Sequence, residues 1–208
     1  MKNHLPTLIL PLIFFSLFSC SNYKNKIDNK TNFNSNEIKK QDSLAFKLCE
    51  IYGSDQGIRH MKLITNKDAG ALKFSPYLDS INFFKIVDFV KDNGIPNEKL
   101  VGKENFSTEC VRAAYMSVLL HTPHMLINNE EYLDLFVAEV ENGNLKVENL
   151  ITILDKYYVI RKDKLGNRKL LYGSQFGKPC LKFRKKSDSV RATVGLPPLK
   201  LEDFKKCK

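Results

Sequence analysis

The chain has 208 residues, 43% of them apolar and 27% charged, which suits one domain of ordinary size and excludes wholesale disorder. With 10 Gly, 8 Pro and no Trp it is neither collagen-like nor of low complexity. The formal charge of +10 is unevenly spread: residues 41–155 carry 11 Lys and Arg against 17 Asp and Glu, whereas residues 156–208 carry 16 against 4. No metal-finger, P-loop, dinucleotide or serine-hydrolase signature occurs, so no cofactor is implied and no reaction is named.

Residues 1–19 have the anatomy of a secretory signal, with Lys2 followed by an apolar stretch from Leu5 to Phe18. At about 14 residues the stretch is shorter than the ~20 that a membrane-crossing helix needs. It ends in Leu17-Phe18-Ser19-Cys20, which resembles the lipobox of bacterial lipoproteins, although Phe18 is bulkier than the small residue usual there. The resemblance implies that Cys20 is the lipidation site and carries a diacylglycerol. Two palmitate-like chains, at ~0.8 kcal/mol per buried CH₂, suffice for stable anchoring where one does not. Ser21 in place of Asp is similar to the sorting signal for the outer membrane, so the chain is expected in the envelope, facing the periplasm or the cell surface. Residues 20–40, with six Asn and five Lys, read as a flexible lipidated tether.

From residue 41 onward the pattern is that of a single, mainly α domain of about five to seven helices with one β-hairpin near its C-terminal side. Ser35 or Asn36 is placed to cap a first helix striped by Leu44, Leu48, Ile51 and Tyr52, which Gly53 is expected to break. Residues 55–60 form a second helical piece. Asp79 is placed to cap a helix striped by Ile81, Phe84, Val87 and Val90, with Asn93-Gly94 and Pro96 as its stop. Ser107 opens another, with Val111, Ala114, Tyr115, Val118 and Leu119 inward, closed by Pro123. Asn129 caps a helix carrying Leu133, Phe136, Val137 and Val140 that ends at Gly143, and Val147, Leu150, Ile151 and Leu154 mark the next. Residues 157–161 and 168–172 are β-branched and aromatic around Gly166-Asn167, which predicts the hairpin. A short helix from Ser187 or Asp188 to Gly195 completes the series.

With Cys20 assigned to lipid, Cys49, Cys110, Cys180 and Cys207 remain, and an oxidising compartment permits three connectivities among them. Their irregular spacing and the lack of any CxxC speak against a zinc or thioredoxin-like site, and with Cys49 and Cys110 in helical apolar patterns, where a free Cys acts as a small hydrophobe, one bridge or none is expected. The basic C-terminal third has two readings, a surface for an anionic envelope polymer or protein, or a hairpin and tail packed against the acidic helices. Nucleic acid is not an expected partner in this compartment.

Several polar residues stand out. Asp55 and Arg59 share a helix face, His121 ends an apolar helix with His124 beyond Pro123, and Tyr172-Gly173-Ser174-Gln175 is a turn after a strand-like run. His-Thr-Pro-His lacks a third ligand at matching spacing, so no metal is expected. Taken in order, Asp55-Gln56-x-x-Arg59, Asp79-x-x-Asn82, Gly94-Ile95-Pro96, Val101-Gly102, His121, Asp155-Lys156, Tyr172-Gly173-Ser174-Gln175-Phe176 and Arg191-x-x-Val194-Gly195-Leu196-Pro197-Pro198-Leu199 resemble the bacterial family known as domain of unknown function 6624. The resemblance covers residues 41–204 and implies a fold and a candidate site, with no activity attached. Leu120, Lys156 and Ser174 depart from the Gln, Arg and Thr usual at those places.

Asp55, Arg59, His121, Asp155, Tyr172, Gln175 and Arg191 are expected to gather in one cleft. His121, Asp155 and Asp55 would be its catalytic acid–base groups, and Arg59, Tyr172, Gln175 and Arg191 would hold a small anionic ligand. The competing expectation is an internal polar network that fixes the hairpin to the helices.

Overall fold

The computed structural model describes residues 29–64 and 69–207; the signal segment, Cys20 and the start of the expected tether lie outside them. The chain forms α1 (Asn29–Ile64), α2 (Ala69–Asn93), α3 (Glu98–Val101), α4 (Lys103–Ser107), α5 (Glu109–His121), α6 (Pro123–Ile127), α7 (Glu130–Glu141), α8 (Val147–Val159) and α9 (Arg184–Ala192). No described helix is long and apolar enough to cross a membrane.

Side-chain pairs fix the directions of the long helices. Asp42 meets Asn105, a disulfide joins Cys49 to Cys110, and Asp55 meets His121, so α1 and α5 run parallel. Arg59 meets Asp79 near the end of α1 and the middle of α2, which therefore run antiparallel. Phe83 and Lys91 of α2 meet Tyr132 and Glu131 at the start of α7, and the Ile95 N–H just after α2 donates to Glu139. Asn149 donates to the Tyr115 hydroxyl, and α8 continues alongside α5 in parallel. Leu48, Ile51, Phe83, Ile86, Phe89, Val118, Leu119, Phe136, Leu150, Ile153 and Leu154 fill the space between, each worth about 1.5–3 kcal/mol when removed from water.

Several expectations are corrected. The first helix starts at Asn29, inside the expected tether, and passes through Gly53 without a break. A mid-helix Gly costs about 1 kcal/mol, less than the burial of Leu48 and Ile51 on the stripe that leads up to it contributes. Asp79 lies within α2 and bonds to Arg59 instead of capping. Pro123 ends α5 and also opens α6 as its first residue. Asn129 caps α7 by accepting from the Glu131 N–H.

The predicted β-hairpin does not form. Residues 157–159 remain in α8, where Tyr158 is buried, and only an isolated antiparallel bridge, Lys162 with Arg168, closes the loop that follows. That loop is held by Asp163, whose carboxylate accepts from the N–H groups of Leu165 and Asn167. Beyond it, the N–H groups that a second strand would pair with a first turn instead to the side chain of Asp155. Both remaining cysteine pairs are joined, Cys49 to Cys110 and Cys180 to Cys207, where one bridge at most was expected.

Candidate functional site

The first polar cluster lies where α1, α2 and α5 come together. Asp55 is fully buried. Its Oδ1 accepts from Arg59 at 2.9 Å, its Oδ2 accepts from Gln56 at 2.8 Å, and both oxygens lie 3.0–3.1 Å from His121 Nδ1. Arg59 bridges onward to Asp79 Oδ1 at 2.7 Å, so its guanidinium is committed to two carboxylates. The His121 side chain is 30% exposed, and its Nε2 has no hydrogen-bond partner among the described residues. Three residues along α2 from Asp79, the antiparallel register sets Asn82 level with Asp55 and Gln56. Asn82 is buried, with neither amide atom hydrogen-bonded.

The second cluster surrounds Asp155, also fully buried. Oδ1 accepts from the N–H groups of Leu171 at 2.9 Å and Tyr172 at 3.0 Å, and Oδ2 accepts from Ser174 at 3.1 Å. Arg191 donates to the carbonyls of Tyr172 and, at 2.8 Å, Pro197. Burial pulls the Arg191 guanidinium below its ordinary value, partly offset by Asp155. Tyr172 is buried as well; loss of water, then the neighbouring Tyr158 and Asp155, push its phenol well above its ordinary value. Gly173 takes φ +74° with Leu199 packed where a Cβ would stand, so the turn accepts no side chain there. Asp155, Tyr172 and Arg191 thus form a sealed backbone-binding network, the structural alternative weighed for them.

Two separate cavities lie in the groove between the parallel helices α5 and α8, one beside each cluster. A cavity of about 300 Å³ is lined by Met116, Glu148, Asn149, Thr152, Ser174 and Gln175, among others. A second, of about 270 Å³, is lined by Leu120, His121, His124, Lys156, Tyr157 and Arg161, among others. Met116 and Leu120 are one turn apart on α5, as are Thr152 and Lys156 on α8, so the cavities succeed each other along the same pair of helices. The Phe176 ring lies 5.6 Å from the Lys156 ammonium. Of the seven expected site residues, His121 and Gln175 reach this groove directly. Asp55 and Arg59 stand behind His121, and Asp155, Tyr172 and Arg191 brace the turn that carries Gln175.

No family model, curated protein or solved structure matches this chain.

The cations that reach the groove are Lys156 and Arg161, the latter stacked 3.5 Å over the Tyr157 ring. Sequence reasoning favoured Arg59 and Arg191 instead. The available signal was positional: Lys156 and Arg161 sit at the C-terminal end of an amphipathic helix, beyond its apolar stripe, where a cation faces outward and complements the helix dipole. Glu148 and Thr152, which line the other cavity, lie two turns and one turn before Lys156 on α8 and gave no further sequence signal.

In the basic third, Lys178, Lys182, Arg184, Lys185, Lys186, Lys205 and Lys206 are exposed. The ion pairs seen there, Lys182 with Asp163, Arg184 with Asp188 and Lys200 with Glu202, stay within that third. Among the described residues, none of its cations pairs with the acidic helices.

Proposed function

We infer that this chain is a lipid-anchored protein of the bacterial envelope whose helical domain binds a small anionic ligand in the α5–α8 groove, with His121 exchanging a proton with it. The observation that carries the reading is the Asp55–His121 pair. A buried carboxylate accepting from Nδ1–H fixes the imidazole tautomer and leaves the Nε2 lone pair directed away from it. Lys156 and Arg161 line the same cavity and supply the positive potential that an anion requires. In this reading Asp55 and Arg59 position His121, and Lys156 and Arg161 meet the ligand. Two disulfides suit an oxidising compartment, in agreement with the lipobox-like Cys20.

The test is calorimetric titration of the full chain in detergent with inorganic phosphate and simple phosphomonoesters. Binding that His121→Gln and Lys156→Met each weaken at least tenfold, with unchanged melting temperatures, supports the reading. No anion binding, or binding indifferent to both substitutions, overturns it. The exposed cations of residues 178–206 favour a second reading, an interaction surface for an envelope polymer or protein. That surface would bind a soluble polyanion with strong salt dependence, and Lys185→Ala with Lys186→Ala would weaken the binding.

A further inference from the structure

The loop that follows α8 carries a surface of its own. Residues 160–169 hold five cations, Arg161, Lys162, Lys164, Arg168 and Lys169, against one acid, Asp163. Arg161 is committed to the ring and carbonyl of Tyr157. Asp163 is turned inward, its side chain 15% exposed. Its oxygens accept from the N–H groups of Leu165 and Asn167, the Asn167 amide and the Lys182 ammonium. Lys162, Lys164, Arg168 and Lys169 are exposed and form no ion pair among the described residues.

The backbone sets two of these cations against each other. The Asp163 N–H donates to the Asn167 carbonyl at 2.9 Å, and the Lys169 N–H to the Arg161 carbonyl at 3.0 Å. Lys162 and Arg168 are the directly opposed pair between those bonds. A pair that exchanges no hydrogen bond of its own is the closer kind, with both side chains on one face. Like charges so placed are destabilising, and the one carboxylate nearby is spent on the backbone. At the tip of the loop the Asp163 turn holds Leu165 out, 64% exposed.

We propose that this loop docks on an anionic phospholipid bilayer, with Lys162 and Arg168 sharing a headgroup phosphate and Leu165 entering the boundary between headgroups and acyl chains. An exposed leucine alone is ordinary on a protein surface. Here it stands on a braced turn among unpaired cations, which matches an interface where a negative layer covers an apolar one. A soluble polyanion would satisfy the cations and leave Leu165 in water. The inference stands apart from the α5–α8 groove, since it uses neither His121 nor Lys156.

The chain contains no Trp, so Leu165→Trp supplies a single fluorophore at the tip. The full-length variant is placed in vesicles of phosphatidylcholine alone or mixed with phosphatidylglycerol, with or without brominated acyl chains. The mixed vesicles are expected to shift the emission to the blue and the bromines to quench it at least twofold, with neither effect in phosphatidylcholine. Adding Lys162→Ala and Arg168→Ala should abolish both effects and leave the melting temperature unchanged or higher, because a repulsive pair is removed. Equal emission in the two vesicles, or quenching that survives both alanines, overturns the proposal. So does a lower melting temperature, which would make the pair a brace of the loop. A response to soluble dextran sulfate with none to either vesicle would assign the loop to a polymer instead and overturn it as well.

Discussion

Asp55 and Asp155 are both fully buried carboxylates on long helices, and they direct their oxygens to different partners. Asp155 accepts three backbone N–H groups from the segment after α8. Asp55 accepts only from side chains, one of which, His121, reaches the groove. Backbone partners cannot be exchanged without undoing the chain path, so the Asp155 network is part of the fold. Side-chain partners can re-pair without moving the backbone, so the Asp55 cluster is not tied to the chain path in the same way. Burial of an acidic group therefore says little about function until its partners are known.

The comparison makes its largest claim for Asp155→Ala. Bonds to a charged acceptor are worth about 1.5–3 kcal/mol each, and the substitution leaves three donors without it. Urea unfolding should show a loss of about 4 kcal/mol or more, and a loss below about 1 kcal/mol would place Asp155 with Asp55 as a group free for other use. The disulfides come next, each guarding one region. With sequence separations of 61 and 27 residues, Cys49→Ser with Cys110→Ser should cost about 4 kcal/mol, and Cys180→Ser with Cys207→Ser about 3.5 kcal/mol. Hydrogen exchange should show loosening between α1 and α5 in the first pair of variants and in the segment after α8 in the second.

His121→Gln is expected to cost less than about 1 kcal/mol, because the ring is part-exposed and Asp55 keeps Arg59 and Gln56. A loss as large as that for Asp155→Ala would show that the two clusters are alike after all. The smallest effect concerns pH. The Lys182 ammonium, helped by Asn167 and the Leu165 N–H, holds the Asp163 carboxyl well below the ordinary range. A depressed carboxyl stabilises the fold fully above its unfolded value of about 3.9 and progressively less as the pH falls below it. Asp163→Asn should therefore flatten the acid side of the stability profile, measured as the urea midpoint between about pH 5 and pH 2.

The sequence made the helices legible wherever one apolar face repeats over three turns, as in α5, α7 and α8. It misled where a side chain outcompeted a local preference. β-Branched and aromatic residues around Gly166-Asn167 read as a hairpin, but the strand donors went to Asp155, an acceptor on a different element. Gly53 read as a break, but the buried stripe that leads up to it carried α1 through. For the site, Asp55, Arg59 and His121 are together as the sequence suggested, whereas Asp155, Tyr172 and Arg191 serve the backbone.

The donors that satisfy Asp155 lie 16 to 19 residues downstream of it. A chain emerging N-terminus first, from the ribosome or through a translocation pore, has α1 to α8 in hand before those donors arrive. Until then α8 can settle against its neighbours only by drying a bare negative charge. During that interval α8 has to stay loosely docked and wet, and it settles only when the segment after it folds back.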